Sequence, residues 1–231
     1  MVMIAENIRN VKENIRNACI ISGRSESTVK LIAVSKTKPL ECLKEAYDCG
    51  IRDFGENKVQ EIMDKIDKMP PDTRFHMIGH LQKNKVKYII GKVFLIHSVD
   101  SYELAKVISR ESVKRNVTTN ILIEVNVSGE ASKYGCKPEE TAELVRQISL
   151  LPNVNVKGFM TIAPYVEDGS KNRQYFASLR QLSIDIDSQN IDNISTDIIS
   201  MGMTVDYEAA VIEGATYVRV GTAIFGERNY T

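Results

Sequence analysis

A single parallel (β/α)8 barrel is the fold this 231-residue sequence predicts, on three observations. Short apolar, β-branched segments alternate with segments of helical spacing, and eight of the former can be counted. The length lies within the usual span of one such barrel and leaves little room for a second domain. No GxGxxG turn follows the first strand, so a doubly wound open sheet loses its main support.

In chain order, Ile4, Ile8, Val11, Ile15 and Ala18 recur at helical spacing, which predicts an amphipathic helix over 3–21 within an N-terminal segment 1–22. Packing against the rest of the protein, with the barrel floor as one place for it, is its expected role, since acids interrupt the polar face a membrane would need. The barrel itself is expected over 30–228. Its strands read as Leu31–Ser35, Arg52–Gly55, Phe75–Gly79, Val93–Ser98, Asn120–Val127, Val154–Thr161, Asp197–Met201 and Tyr217–Val220. Between them, Pro39 opens a helix that Gly50 stops, and Pro70-Pro71 ends a helix begun near Lys58. Further helices are expected near Lys83–Ile90, Tyr102–Arg115, Pro138–Leu151, Ser170–Asp187 and Asp206–Glu213. No linker or low-complexity tract divides 1–231, so one domain is expected.

Composition narrows the function classes. Lys+Arg and Asp+Glu balance at 30 each, leaving no global field to attract nucleic acid or an anionic membrane. No apolar run approaches the ~18 residues of a membrane span, and Glu6, Arg9, Lys12 and Glu13 break up any signal-peptide core. The four cysteines (Cys19, Cys42, Cys49, Cys136) form no CxxC pair or zinc spacing and read as free thiols in a reducing cytoplasm.

Chemistry in such a barrel belongs to the carboxyl ends of the strands. Lys36 directly follows strand one and shares a face with Val34 and Ile32. Partial burial there would disfavour its charged form and supply the free amine that a carbonyl needs. Most lysines are simply solvated, so position alone decides little. The loops after strands seven and eight, Ser200-Met201-Gly202-Met203-Thr204 and Gly221-Thr222-Ala223-Ile224-Phe225-Gly226, carry the glycines, hydroxyls and helix starts that suit a phosphate. Thr204 could instead cap the next helix, and Gly221 could merely ease a turn. Arg219 lies two positions before Gly221 on the same side of strand eight. Inside a barrel it needs a partner, either a core acid or the nitrogen of a pyridine ring. Together these residues point to pyridoxal 5'-phosphate held as a Schiff base on Lys36.

Other residues are more ambiguous. Glu56-Asn57 could reach such a cofactor, yet Asn57 with Gln60 also resembles a capping box. His76 and His80 have the spacing of a metal pair but lack a helix to align them, so no metal is expected. The run from Lys83 to Lys87 reads as a solvated helix face.

Five segments taken in order, Ala33–Pro39, Phe54–Asn57, His76–Lys85, Ser200–Met203 and Val218–Gly226, closely resemble the pyridoxal phosphate homeostasis protein family, over nearly the whole chain. The resemblance implies a barrel like the N-terminal domain of bacterial alanine racemase. It implies pyridoxal phosphate on Lys36, its phosphate held by Ser200, Gly221 and Thr222 with the backbone of Gly202 and Met203, Arg219 facing the ring nitrogen, and Asn57 beside the ring. Thr204 and Val205 depart from the family's usual Ser and polar or small residue, though Thr204 keeps a hydroxyl.

The resemblance also implies reversible cofactor binding for intracellular supply, without established catalysis. Apo-enzymes that use pyridoxal phosphate are the recipients it brings to mind, and a cytoplasmic monomer with an open mouth is the expected form. Because Arg219 keeps its proton, the ring nitrogen would stay largely unprotonated and the ring a poor electron sink. A racemase-type second domain with its tyrosine is not expected. The alternatives are a minimal racemase or decarboxylase using the same cofactor, and a cofactor-free Schiff-base aldolase.

Overall fold

The computed structural model describes residues 3–227. Residues 1–2 and 228–231, which hold the start of the expected 1–22 segment and the end of the expected 30–228 barrel, lie outside the described residues.

Eight parallel strands close in sequence order: β1 (Lys30–Val34), β2 (Asp53–Glu56), β3 (Arg74–Met77), β4 (Leu95–Val99), β5 (Thr119–Glu124), β6 (Val154–Met160), β7 (Ile194–Ser200) and β8 (Tyr217–Val220). Closure is made by β1 on β8, in register from Lys30↔Tyr217 to Ala33↔Val220. Around them lie α1 (Ile4–Ile21), α2 (Leu40–Asp48), α3 (Val59–Ile66), α4 (Val86–Ile89), α5 (Tyr102–Lys114), α6 (Pro138–Ser149), α7 (Arg173–Asp187), α8 (Tyr207–Ile212) and α9 (Thr222–Phe225). The predicted helix near Lys83–Ile90 is a 3-10 turn, Lys83–Lys85, followed by the short α4. β7 begins three residues earlier than expected, because Ile194, Ser195 and Thr196 are half-buried and give no clear apolar run.

α1 does not plug the floor. Its stripe of Ile4, Ile8, Val11 and Ile15 is buried against α2, α8 and α9 on the barrel's flank. Asn7 Nδ2 donates to the Ile224 carbonyl at 3.0 Å, and Asn14 Nδ2 to the Tyr207 hydroxyl at 2.9 Å. The physical reason is a gap in the outer ring. α9 is only four residues long, so the flank between α8 and α2 needs another apolar surface, and α1 supplies it. Each buried aliphatic of this stripe contributes up to roughly 1.5–3 kcal/mol.

The core has two unlike parts. Between strands and helices it is a continuous apolar layer. Inside the barrel the apolar cluster shrinks to Ile32, Leu95, Leu122, Met160 and Tyr217. His76, His97, Ser200 and Arg219 are buried there too. Buried polar groups need partners, and the partners lead to the mouth.

Candidate cofactor site at the barrel mouth

A cavity of 190 Å³ opens at the carboxyl ends of the strands, with Val34, Lys36, Asn57, Glu124, Met203 and Arg219 in its walls. A wider depression of 630 Å³ between α3 and α4 shares Asn57 and His80 with it. Size favours the second, but chemistry favours the first, because only there do a lysine past β1 and an arginine of β8 line one space. Lys38 is engaged elsewhere: its Nζ donates to the carbonyls of Phe225, Gly226 and Glu227 at 3.0, 3.0 and 2.8 Å. Of the two lysines in the Ser-Lys-Thr-Lys segment, Lys36 is the one at the cavity.

The backbone around Lys36 is clamped from behind. Ser35 Oγ donates to Glu56 Oε1 at 2.6 Å, and Lys65 Nζ of α3 donates to Glu56 Oε1 (2.8 Å), the Ser35 carbonyl (3.0 Å) and Glu61 Oε2 (3.1 Å). Glu61 Oε2 also accepts from the Thr37 amide at 2.6 Å. The residues on both sides of Lys36 are thereby tied to one ion-pair cluster. The clamp holds Thr37 at φ +62°, a conformation that β-branched residues rarely adopt. Burial pushes the Glu56 carboxyl up to about 7, against the pull of Lys65 and Ser35. Burial also works against the charge on Glu61, yet the Thr37 amide and Lys65 hold it below its usual range.

Arg219 is held by its own side chain, from inside the barrel. Nη1 donates to Ser200 Oγ at 2.6 Å and Nη2 to the Thr161 carbonyl at 2.8 Å. From Ser200 a single file continues through His97 Nδ1 (2.9 Å), His97 Nε2 to His76 Nδ1 (3.0 Å), and His76 Nε2 to Asp53 Oδ1 (3.0 Å). Arg74 closes the far end with two bonds to Asp53, at 2.7 and 2.6 Å.

Proton positions in this file follow from its ends. Arg74 and His76 hold the Asp53 carboxyl below its ordinary range against burial, so it only accepts. His76 must then donate from Nε2. Burial holds both histidines below their ordinary pKa and therefore neutral, so His76 Nδ1 accepts from His97 Nε2. His97 Nδ1 must in turn accept from Ser200, whose oxygen accepts from Arg219. Burial lowers Arg219 to about 10, which leaves it charged at neutral pH. No carboxylate of the described residues lies within ion-pair distance of Arg219. The core-acid pairing considered from sequence is not its arrangement.

The two glycine-bearing loops meet. Gly202, at φ +86°, packs where a Cβ would fall 2.5 Å from that of Ala210 and 2.9 Å from Tyr207 Cα, so the loop can lie close on α8. Asp206 Oδ1 accepts from the Met203 amide at 2.7 Å. Thr204 does not cap α8; its Oγ1 accepts from the Gly221 amide at 3.4 Å and joins the loops after β7 and β8. Thr222 is exposed at the start of α9. Ser200 is fully buried, its hydroxyl engaged by Arg219 and His97.

Asn57 is not the cap of α3, since Lys58 takes that position and no side chain caps the helix. Asn57 is instead pressed by Gly79, where a Cβ would lie 2.6 Å from its carbonyl oxygen. His76 and His80 part company: the first is inside the barrel, and the second stacks on Tyr134 at 4.1 Å beside the cavity. That ring pair forms part of the cavity's lining. Glu124 and His97 were missed by sequence reasoning. Each is a polar residue in an apolar strand, in Ile121-Leu122-Ile123-Glu124-Val125 and Leu95-Ile96-His97-Ser98-Val99.

Comparison with known proteins shows the family. Residues 6–229 match the family model of the alanine racemase N-terminal domain. The pyridoxal phosphate homeostasis protein of Aquifex aeolicus is 46% identical over 226 residues, covering 97% of this chain and 98% of that one. That of Pseudomonas aeruginosa is 42% identical, covering 100% and 98%.

The chain belongs to the pyridoxal phosphate homeostasis protein family.

Among solved structures, PipY of Synechococcus elongatus with pyridoxal phosphate bound superposes at a TM-score of 0.85 with 33% identity, covering 97% of this chain and 100% of that one. An alanine racemase of Clostridium difficile superposes at 0.75 with 16% identity, covering 97% of this chain and 57% of that one, which is a likeness of fold alone. The fold read from sequence, an α/β barrel with an added N-terminal helix, is the fold of this family member. No helix of the described residues is long and apolar enough to cross a membrane.

Proposed function

We propose that this protein binds pyridoxal 5'-phosphate covalently through Lys36 and serves the intracellular supply of that cofactor without turning over a substrate. The observation that carries the reading is the single cavity walled by Lys36, Arg219 and Asn57, while Lys38 is bound to three carbonyls.

The residues present fit the group. Glu124 Oε2 is a buried polar atom without a hydrogen-bond partner in the cavity wall, and an amine, a guanidinium and an amide side chain (Lys36, Arg219 and Asn57) line the same space. Lys36 would supply the amine, Arg219 a donor to the ring nitrogen, and Asn57 the contact beside the ring. Thr204, Gly221 and Thr222, with the backbone of Gly202 and Met203, would hold the phosphate. Ser200 would serve that site through Arg219, because its hydroxyl is already engaged inside the barrel. When bound, the group supplies an aldehyde that condenses reversibly with primary amines.

Arg219 supports a holding role. Being charged, it donates to the ring nitrogen and disfavours its protonation, which weakens the ring as an electron sink. The curated relatives are named homeostasis proteins, and the likeness to racemases extends to fold alone. Apo-enzymes that need the cofactor are the recipients in this reading. A cytoplasmic, monomeric protein is part of it, and the four unpaired thiols suit a reducing compartment. Titration with pyridoxal phosphate tests it: violet absorbance should develop in the native protein and be lost in Lys36→Ala. Equal colour in both would refute the assignment.

A further inference from the structure

We propose that Glu124 is the acid–base group of this cavity, passing the protons needed to make and break the covalent bond at Lys36. The inference rests on the cofactor reading above and adds to it how the cofactor is loaded and released.

Glu124 ends β5, and its backbone is fixed on both sides. It lies in register with Met160 of β6, and its carbonyl accepts from the Cys136 amide at 2.9 Å. Glu124 is 4% exposed, and its Oε2 has no hydrogen-bond partner. A buried, unsatisfied carboxyl oxygen is costly, so its place in the wall of a functional cavity calls for a reason. It is the only acid among the described residues that line this cavity.

The groups around it are Lys36 beyond β1, His80 beyond β3, Asp100 beyond β4, Tyr134 beyond β5 and Arg219 of β8. Burial and the negative charge of Asp100 push Glu124 up to about 7, and Arg219 pulls the other way without prevailing. Both of its protonation states are therefore populated near neutral pH, as a group that gives and takes protons requires. Arg219 keeps its proton at that pH.

The step balances without another reactant. The neutral Lys36 nitrogen bonds to the aldehyde carbon, and its two protons finally leave on the aldehyde oxygen as water while the C=N bond forms. Glu124 gives a proton to the departing oxygen and recovers one from the nitrogen, so its charge is the same before and after. Release runs the same sequence in reverse, with water as the incoming reactant.

Stopped-flow absorbance tests this on the full chain, freed of cofactor and mixed with pyridoxal phosphate, with release followed after dilution. Glu124→Gln should slow formation and release alike, by about 100-fold, and flatten the dependence of the formation rate on pH near 7. Glu124→Asp should fall between. In Glu124→Ala, added formate should restore part of the rate, which a misfolded variant could not show. Native rates in Glu124→Gln, or a change in only one of the two rates, would overturn the role of Glu124 and leave Lys36 as the anchor. Absence of colour in the native protein would instead remove the cofactor reading, and this inference with it.

Discussion

Lys36 and Arg219 face one cavity but are held in opposite ways. The clamp behind Lys36 lies in the layer between strands and helices, joining Ser35, Glu56, Glu61, Lys65 and Thr37, and it grips backbone. The file behind Arg219 runs inside the barrel through Ser200, His97, His76 and Asp53, and it grips the guanidinium itself. The difference suits the two tasks. A lysine that must form and break a bond needs its root fixed. An arginine that must face one ring atom needs a fixed tip.

The comparison can be broken from either side. The largest expected effect is on stability in the clamp. Lys65→Ala would leave Glu56 buried without its cation and should cost about 3–5 kcal/mol, read by urea unfolding. A loss well under that would mean the clamp is not a cooperative unit.

The interior file should respond in the spectrum of the bound cofactor instead. His97→Gln should displace the absorption maximum while the covalent bond to Lys36 survives, because Arg219 loses its support through Ser200. An unchanged spectrum would make the file a packing device. The same variant has a pH signature. His97 is held well below its ordinary pKa by burial, so below about 6.5 the unfolded chain takes up the proton that the folded one refuses. Stability linked to His97 is thus complete above that pH and is lost on acidification, by at most about 1.4 kcal/mol per pH unit. The stability curve of His97→Gln should lack this component between pH 7 and 5.

The smallest effect belongs to the loops. Thr204→Val removes the acceptor for the Gly221 amide and a candidate phosphate donor, and should weaken cofactor binding by roughly 0.5–1.5 kcal/mol. Native affinity would show that the hydroxyl only joins the loops.

Much of this architecture is legible in the sequence because it depends on local patterns. Alternating apolar segments and Gly or Pro stops place eight strands, and the rule of strand ends selects Lys36 and Arg219. What is not legible depends on contacts across the barrel. The seat of α1 is set by the shortness of α9, some 200 residues away. The burial of Ser200 follows from His97 on β4, and the value of Glu124 from the cavity it lines. Residue type and spacing allow Asn57 two readings, and the position of Lys58 at the start of α3 removes the capping one.

The central claim is the attachment at Lys36. Borohydride reduction of the protein loaded with pyridoxal phosphate, followed by peptide mass spectrometry, tests it most directly. A reduced pyridoxyl group on Lys36 alone is the predicted result. Label found on Lys38, or scattered over exposed lysines such as Lys58 and Lys85, would contradict it.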